Sequence, residues 1–416
     1  MKKQLEKLPF YNTLVLPYHF GQAEVASLKY GLPGKKLRVI GVTGTNGKTT
    51  TCFMIWNMLN HAGFKTGLMT TVAYGVKTLK PELNHMTTSD TFTLNRRLSD
   101  IVKQGAEFLV LEITSHALAE FRTLNIPIEI AVFTNLTHEH LDYHKTFNNY
   151  RKAKGKLIKK ASFSILNADD PSAPYYQKIA KEYTTYGINK GKNRAKDLEL
   201  KVSGVKYSLG DIRIETNLPG IFNVYNSLAA ALVGQKLGLT SEQIEQGFKT
   251  LKSVEGRMNI IDEGQPYTVI VDYAHAPDAL EKVFASVKNH QGRIISVHGG
   301  AGRRDPSTRP IRGEILAKNS DIVIITEDDS RDEDPEAIAK GFIDGAKKAG
   351  KSLGKDLIKE LDRKKAIELA LKLAKKSDLV LVLGKGHEKT ILRADGPHPF
   401  SDTEVVKEIL HKKYHE

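Results

Sequence analysis

The sequence predicts an α/β protein with two domains, each built on a mostly parallel, doubly wound sheet. Two observations lead to this prediction. Apolar runs typical of buried strands alternate with amphipathic helical stretches along most of the chain. In addition, 416 residues exceed what one hydrophobic core usually supports. We expect a central domain with a P-loop, followed by a C-terminal Rossmann-like α/β domain.

In the central domain, the alternation of predicted strands and helices begins at Leu37. Its strand and helix signals are, in chain order, LRVIGVTG, TTTCFMIWNMLNHAG, FLVLEIT, IEIAVFTNL, YRKAKGKLIKKA and FSILNADD. Continuous apolar strands of this kind are typical of parallel sheets covered on both faces. The stretch from Lys190 to Glu215 differs, because its short alternating runs predict an antiparallel flap. The following NVYNSLAAALVGQKLGL predicts a helix.

A second alternation of strands and helices begins after Met258. Its strand signals are YTVIVDYAH, RIISVHGG, DIVIITEDD and DLVLVLGKG. We therefore place the domain boundary between Ser253 and Glu255, which gives a central domain at 37–254 and a C-terminal domain at 255–416. The lead at 1–36 is too short for a core of its own, and we expect it to dock on the central domain.

Composition excludes several classes of protein. The single cysteine, Cys52, excludes a disulfide framework and fits a cytoplasmic protein. No apolar run approaches the roughly 20 residues that span a bilayer. The net charge of +14 would suit nucleic acid, but the lysines are scattered on helices and form no basic stripe with stacking aromatics. We expect small-molecule substrates, no nucleic acid, no membrane insertion and a monomer.

A glycine-rich loop separates the first strand from the first helix. Backbone N–H groups at such a helix start favour bound phosphate. Lys48 would reach the terminal phosphates, and the Thr49 hydroxyl is the expected ligand of Mg²⁺. Val42 stands where the general P-loop pattern has its first glycine. The predicted nucleotide-binding residues of the loop are Gly44, Thr45, Asn46, Gly47, Lys48, Thr49 and Thr50.

Polar residues follow the next strands. Glu112 ends an apolar strand, at the edge where open α/β sheets place their ligands. Histidines and acids then crowd positions 138 to 144, a composition that could form a metal site. Too little chain separates them for all to reach one ion. They are His138, Glu139, His140, Asp142 and His144.

The string GTNGKTT resembles the Mur ligase family, which includes folylpolyglutamate synthetases and cyanophycin synthetase. Further strings resemble its MurE branch: EITSHAL, VFTNLTHEHLDYH, LNADDP, FNVYNSLAA, GRM, VDYAHAPDAL and GKGHE. Together they span nearly everything from Arg38 onward. The resemblance implies an ATP- and Mg²⁺-dependent ligase that activates a carboxylate as an acyl phosphate and joins it to an amine.

The resemblance also implies roles for single residues. Glu112 and His140 would hold Mg²⁺ together with Lys154, which matches the position that the family carbamylates to N6-carboxylysine. With Lys48, these form the expected catalytic group. Without the resemblance, Lys154 is one of several lysines on a basic helix.

Other positions match the family's nucleotide and donor contacts. Asn226, Arg257 and Asp272 would contact the nucleotide, and domain closure would bring Arg257 over its phosphates. The expected donor pocket comprises Thr87, Thr88, Ser89, Ser115, His116 and Arg122.

The amino-acid site matches less closely. Family members that add diaminopimelate usually carry Asp-Asn-Pro-Arg where this chain has Asp328, Asp329, Ser330 and Arg331. Arg331 could pair with a side-chain carboxylate, which favours diaminopimelate. Asp329 and Ser330 depart from the pattern, and the extra acid could favour a second amine, so lysine or another diamino acid stays open. Glu388 would accept the distal ammonium. Gly384 and Arg309 complete the predicted site.

The predicted function is therefore an ATP-dependent peptide ligase of cell-wall precursor synthesis. The short lead leaves open a family member with a donor that lacks UDP, such as a pseudomurein-type peptide ligase, a cyanophycin-like ligase or a folylpolyglutamate synthetase. A nucleic-acid ATPase or a silent binding module is the competing class.

Overall fold

The computed structural model describes residues 15–82, 86–137 and 139–415. Some features named above lie outside this description, namely His138, the side chain of Asp142 and residues 1–14 of the lead.

The described chain divides into two compact units. The first runs as far as Glu199 and also contains Lys206–Thr216 and Phe222–Leu251. The second contains Leu200–Val205, Asn217–Ile221 and the chain from Lys252 onward. The domain limits expected at residues 36 and 254 stay a prediction.

Helices and strands alternate in the part of the chain before Lys252, as the apolar pattern predicts. The helices are α1 (Leu16–Lys29), α2 (Lys48–His61), α3 (Thr91–Lys103), α4 (Ser115–Ala119), α5 (Leu141–His144), α6 (Phe147–Lys160), α7 (Ala173–Ile179), α8 (Ile221–Lys236) and α9 (Ser241–Lys249), with a 3₁₀ helix at Pro33–Lys36. The strands are β1 (Arg38–Thr43), β2 (Thr66–Met69), β3 (Ala73–Gly75), β4 (Leu79–Pro81), β5 (Phe108–Glu112), β6 (Ile130–Phe133), β7 (Phe163–Asn167), β8 (Tyr183–Gly187), β9 (Asn193–Arg194), β10 (Lys196–Lys201), β11 (Gly204–Leu209) and β12 (Ile212–Thr216).

The first unit is built on a nine-stranded sheet in the order β4-β3-β2-β5-β1-β6-β7-β8-β9. Strands β2 and β5 to β9 join β1 in parallel, and β3 and β4 add an antiparallel edge. Every residue of β2, β5 and β6 is buried, because helices cover both faces. Strand β1 lies between β5 and β6, so the chain leaves β1 at a point where the strand order reverses.

The predicted flap is confirmed as the separate three-stranded sheet β10-β11-β12. Its strands are joined by two-residue connections, at 202–203 and 210–211, which only antiparallel neighbours allow. The flap begins later than expected, because Asn193–Arg194 pairs with the edge of the large sheet.

The described part of the lead lies against the first unit. Asn125 donates to Glu24 and to Ser27 of α1, both at 2.9 Å. The Phe20 ring meets the Phe121 ring edge to face. These contacts attach α1 to the loop that follows α4.

The second unit repeats the α/β arrangement with a smaller sheet. Its helices are α10 (Pro277–Ser286), α11 (Thr308–Asn319), α12 (Pro335–Lys348), α13 (Arg363–Leu373) and α14 (Asp402–His415). Its strands are β13 (Asn259–Ile261), β14 (Thr268–Asp272), β15 (Ile294–Gly300), β16 (Ile322–Glu327), β17 (Leu357–Lys359), β18 (Leu379–Leu383), β19 (Thr390–Arg393) and β20 (Gly396–Pro399).

The sheet of the second unit has the order β13-β14-β18-β15-β16-β17. All its pairs are parallel except the edge pair β13-β14. The two-stranded sheet β19-β20 stands apart. The predicted fold class, with a Rossmann-like second part, is confirmed.

Among the described residues, no helix has both the length and the apolar character needed to cross a membrane.

Candidate active site

The glycine-rich loop connects β1 to α2. Gly47 precedes α2 with φ +83°, and an added Cβ would collide with the Asn226 side-chain oxygen. Gly44 has φ +153°, and a Cβ there would collide with the Thr134 hydroxyl. Left-handed backbone and close approach both require glycine at Gly47. The loop can thus bring its N–H groups and the start of α2 to one point, as a phosphate site needs.

Two residues that follow β6 hold the loop in place. Asn135 accepts from the Asn46 N–H at 2.9 Å and donates to the Asn46 carbonyl at 3.0 Å. The Thr134 hydroxyl donates to the same carbonyl at 2.7 Å. The backbone of Asn46 is therefore fixed from the neighbouring strand.

Glu112 lies at the carboxyl end of β5 and is 2% exposed. Its Oε2 accepts from the Thr49 hydroxyl at 2.9 Å. It also accepts from the N–H and hydroxyl of Thr71, at 3.1 and 3.2 Å. The structure thus joins two predicted metal ligands, Thr49 and Glu112, in one buried cluster of oxygens, a donor type that Mg²⁺ prefers.

Lys154 is buried on α6, below the same loop. Its Nζ donates to the Gly44 carbonyl at 2.7 Å and lies 4.7 Å from the centre of the Tyr150 ring. Burial, together with the charge of Lys48, holds the pKa of Lys154 well below its usual value. Glu139 and Glu112 oppose this shift only in part. A neutral amine is therefore favoured at this position.

Lys48 begins α2, and its Nζ donates to the Thr45 carbonyl at 2.8 Å. The Thr45 hydroxyl in turn contacts the Tyr150 hydroxyl at 3.1 Å. Thr50 is buried in the first turn of the helix. The predicted loop residues are thus collected around one helix start.

The imidazole of His140 contacts the aromatic rings of Tyr150 and His116. Its ring centre is 5.9 Å from that of Tyr150 and 5.0 Å from that of His116. Its Nε2 lies 3.8 Å from a Glu139 carboxylate oxygen. Tyr150 therefore contacts both His140 and Lys154.

The predicted donor pocket gathers at the end of β5. The Thr88 hydroxyl donates to the Glu112 carbonyl at 3.0 Å, and Arg122 donates to the Thr88 carbonyl at 2.6 Å. Ser115 and His144 are hydrogen-bonded at 2.9 Å. Ser89 accepts from Arg97 at 2.9 Å. Thr87 is half-buried in the same loop as Thr88.

Asn226 lies on α8, facing the P-loop. It donates to Asn223 at 2.9 Å and accepts from the Thr51 hydroxyl at 3.3 Å. Because Gly47 also approaches its side-chain oxygen closely, Asn226 borders the loop that would hold the phosphates.

Arg257 and Asp272 lie in the second unit. The Arg257 guanidinium stacks 4.6 Å above the Tyr273 ring. Asp272 is buried and accepts from the N–H groups of Met258 and Ala274, both at 2.7 Å. Burial raises the pKa of Asp272, against the charge of Arg257. In the structure Asp272 thus secures a turn, and the expected nucleotide role of both residues stays a prediction.

A buried ammonium occupies the centre of the predicted amino-acid site. Lys385 donates to Glu388 and Asp329, both at 2.8 Å, and to Asp328 at 3.2 Å. Burial acts to lower the pKa of Lys385, but the three carboxylates outweigh it and raise the pKa. Lys385 is therefore charged. Glu388, expected to accept a substrate ammonium, already accepts one from the chain.

The other three residues of the predicted amino-acid site make different contacts. Arg309 is buried, and both its Nη atoms donate to Glu333, at 2.6 and 2.9 Å, so its guanidinium is engaged within the chain. Arg331 has φ +57° and is held by its N–H to the Leu392 carbonyl. Among the described residues, the Arg331 guanidinium has no ion-pair partner. Gly384 borders Asp328, and an added Cβ would lie 3.2 Å from its carboxylate.

Sequence reasoning missed Thr71, Asn135 and Lys385. Thr71 follows β2, a strand too short to be recognised in the sequence. Asn135 follows β6, which lies beside β1 in the sheet. A polar residue at the end of the strand next to the P-loop strand was the signal that could have identified it. Lys385 stands between two predicted residues, Gly384 and Glu388, so its place in the site could have been found.

Comparison with known proteins identifies the family. Residues 42–234 match the Mur ligase middle domain. Residues 256–386 match the Mur ligase glutamate ligase domain. The chain is 38% identical over 417 residues to "UDP-N-acetylmuramoyl-L-alanyl-D-glutamate--2,6-diaminopimelate ligase 1" of Clostridium acetobutylicum, which covers 97% of this chain and 85% of that protein. This chain belongs to the Mur ligase family.

Other Mur ligases support the same assignment. A 2,6-diaminopimelate ligase of Aquifex aeolicus is 40% identical over 391 residues, covering 92% of this chain and 79% of that protein. A solved 2,6-diaminopimelate ligase is 32% identical with a TM-score of 0.66, covering 91% of this chain and 79% of the other. Folylpolyglutamate synthase of Mycobacterium tuberculosis, solved with ADP and AMPPCP, has a TM-score of 0.71 at 17% identity, covering 88% and 92%, and so shares the fold.

Membership of the family defines the type of reaction. Mur ligases form amide bonds at the expense of ATP and use Mg²⁺, so this chain is an ATP-dependent, amide-forming ligase of peptidoglycan synthesis. The buried oxygen cluster around Glu112 fits the ion, whereas the amine of Lys154 in its unmodified form does not.

Proposed function

We propose that this Mur ligase joins 2,6-diaminopimelate to the glutamate carboxylate of UDP-N-acetylmuramoyl-L-alanyl-D-glutamate. The observation that carries the proposal is the identity of 36 to 40% with ligases of that name. The geometry around Arg331 supports the choice of amino acid.

In the first step, a donor carboxylate oxygen attacks the γ-phosphorus of ATP, giving an acyl phosphate and ADP. The loop from Gly44 to Thr50 would hold the phosphates by its N–H groups, and Lys48 would balance their charge. We assign Thr49, Glu112, His140 and Lys154 as the residues that hold Mg²⁺. When bound, the ion would neutralise charge on the phosphates during transfer.

Lys154 fits this role as N6-carboxylysine. In the neutral form, which burial favours by lowering the pKa of Lys154, its Nζ can attack CO₂, form an N–C bond and lose a proton, which gives an anionic carbamate. A carbamate oxygen is a suitable Mg²⁺ ligand, whereas an ammonium would repel the ion. Desolvation favours the neutral amine that this reaction needs.

In the second step, the amine of the amino acid attacks the acyl phosphate and phosphate leaves. Thr87, Thr88, Ser89, Ser115, His116 and Arg122 are proposed to orient the donor. Asn226, Arg257 and Asp272 are proposed nucleotide contacts.

The second unit favours diaminopimelate over lysine as the amine. Lys385 already engages Asp328, Asp329 and Glu388, and both amines carry a distal ammonium, so this cluster does not separate them. The distal carboxylate does. Among the described residues the Arg331 guanidinium has no ion-pair partner, so it is suited to a distal carboxylate, which diaminopimelate has and lysine lacks. Because Arg309 is held by Glu333, we assign it to positioning that side of the site.

A matrix of donors and amines tests the proposal. The UDP-linked dipeptide and a UDP-free peptide donor are each incubated with ATP, Mg²⁺ and either diaminopimelate, lysine or ornithine, with product mass as the readout. We expect the UDP-linked donor with diaminopimelate to give the highest turnover. Product only from the UDP-free donor would replace the proposed donor, and product only with lysine would replace the proposed amine.

A cytoplasmic location and a monomeric state stay part of this proposal. The free, buried Cys52 fits a reducing compartment.

A further inference from the structure

We propose a second metal site, for an ion such as Zn²⁺ or Ni²⁺, at the end of the last helix. Its ligands are His411 and His415 of α14 and the carboxylate of Glu263. One ligand atom from each of the three lies within 4.8 Å of the others. None of these residues belongs to the proposed Mg²⁺ ligands or to the amide-forming machinery.

The two histidines are placed by helix geometry. They stand four residues apart on α14, so their side chains project from the same face. Their ring centres lie 4.9 Å apart with an interplanar angle of 29°. Val406 and Leu410 are buried against the core of the second unit, which fixes the rotation of the helix. Both rings are therefore directed to the same area of the surface.

The third ligand comes from another element. Glu263 lies in the connection between β13 and β14. The His415 Nε2 donates to the Glu263 carbonyl at 3.0 Å, so the helix end and this loop are already in contact. Among the described residues, neither the Glu263 carboxylate nor the His411 ring has a hydrogen-bond partner. Both are therefore available to a ligand.

The donor set selects the kind of ion. Two imidazoles and one carboxylate, with positions left for water, are typical ligands of Zn²⁺ and of other late transition metals, whereas Mg²⁺ prefers oxygen alone. The carbonyl end of a helix also favours a cation. Lys407 and Lys412 line the same hollow and oppose the ion, but they are exposed and screened by solvent.

A bound ion would join the last turn of α14 to the loop between β13 and β14. Helix ends fray when nothing holds them, so this connection would stabilise the folded second unit by mass action. The site would act on stability and leave the ligase reaction unchanged.

Zinc binding to the full chain tests the site. Equilibrium dialysis in excess Mg²⁺ and ADP would count Zn²⁺ per chain for the parent, His411→Gln, Glu263→Gln and the control His398→Gln. His398 is a partly exposed histidine of the same unit, paired with Asp395 outside the site. We expect the first two variants to bind this Zn²⁺ at least about tenfold more weakly, since even second-shell changes cost that much. We expect His398→Gln to match the parent.

A thermal scan provides the second readout. Zn²⁺ should raise the Tm of the parent and of His398→Gln, and should leave that of His411→Gln nearly unchanged. All variants should keep parental ligase activity and circular dichroism, because the replaced side chains are at least partly exposed and lie outside the proposed active site. Equal Zn²⁺ affinity and equal Tm shifts in the parent and His411→Gln would overturn the proposal.

Discussion

At the scale of single residues, Lys154 combines burial with a position beside the phosphate loop. An ordinary lysine on a basic helix would be solvated, but Lys154 is 2% exposed and its Nζ donates to the Gly44 carbonyl. Burial of an unmodified ammonium is costly, and the lowered pKa reflects that cost. A carbamate that contacts Mg²⁺ would remove the difficulty.

Replacing Lys154 tests this chemistry. We expect Lys154→Ala to lose about 100-fold or more in turnover, as other losses of transition-state electrostatics do. Short carboxylic acids such as formate or acetate should restore part of the activity by supplying the missing oxygen ligand. The steady-state rate of ADP release is the measurement. Lys152→Ala, an exposed position on the same helix, is the control and should retain its rate. Parental activity in Lys154→Ala would contradict the assignment.

Arg331 carries the prediction about amino-acid selectivity. Removing its guanidinium in Arg331→Ala should raise the KM for diaminopimelate about ten- to hundredfold, since a hydrogen bond to a charged group contributes about 1.5–3 kcal/mol. The KM for lysine, which has no distal carboxylate, should hardly change. Steady-state kinetics with both amines measures the difference. Arg303→Ala, whose guanidinium is paired with Asp332 on the surface, is the matched control. An equal rise for both amines would show that Arg331 only maintains the fold.

At the scale of elements, the connection from β1 to α2 requires glycine at Gly47. Gly47 has a left-handed backbone and no room for a Cβ beside Asn226. Gly63, just beyond the other end of α2, has φ +94° with nothing within 4 Å of a Cβ. The two positions therefore share backbone strain but differ in crowding.

This pair gives a controlled test of the loop. Both Gly47→Ala and Gly63→Ala should lower the free energy of unfolding by about 1 kcal/mol for the left-handed backbone. Only Gly47→Ala should also lose nucleotide affinity, because its Cβ displaces Asn226 or the loop. Fluorescence titration with an ATP analogue, together with urea unfolding, separates the two effects. Parental nucleotide affinity in Gly47→Ala would be incompatible with phosphate binding at this loop.

Helices α13 and α14 are joined by a fully buried ion pair. Arg363 at the start of α13 donates twice to Asp402 at the start of α14, both at 2.7 Å, and it also donates to the Leu383 and Glu327 carbonyls. Arg363→Met would leave Asp402 charged and unpaired in the core. We expect a loss of about 3–5 kcal/mol in the free energy of unfolding.

The adjacent lysine is the control for this pair. Lys364 pairs with Glu408 on the surface, and Lys364→Met should cost less than about 1 kcal/mol. Denaturant unfolding of both variants measures the difference. Similar small losses would show that the buried pair contributes little.

The sequence predicted the long elements and missed the short ones. Strands such as β1, β5, β14 and β18 are apolar runs buried on both faces, so composition alone reveals them. Strands β3 and β4 have three residues each and are held by pairing rather than by their own pattern. Thr71 was missed for the same reason, because the strand before it was not recognised.

At the scale of the whole molecule, sequence order could place Glu112 and the P-loop at one sheet edge, since β1 and β5 are parallel neighbours. Sequence order could not show that Lys385 binds Glu388 or that Glu333 binds Arg309. The first pair is 3 positions apart in the sequence and the second pair 24, and both depend on the directions of the side chains. No strand or helix pattern encodes them.

The central claim for the molecule is that it activates a carboxylate as an acyl phosphate. The most direct measurement uses a donor whose reacting carboxylate carries ¹⁸O at both oxygens, with ATP, Mg²⁺ and diaminopimelate, and follows the mass of the released phosphate. The attacking carboxylate oxygen stays with phosphorus when the amine displaces phosphate. We therefore predict one ¹⁸O atom in the phosphate of each turnover. Release of unlabelled phosphate together with amide product would contradict the account.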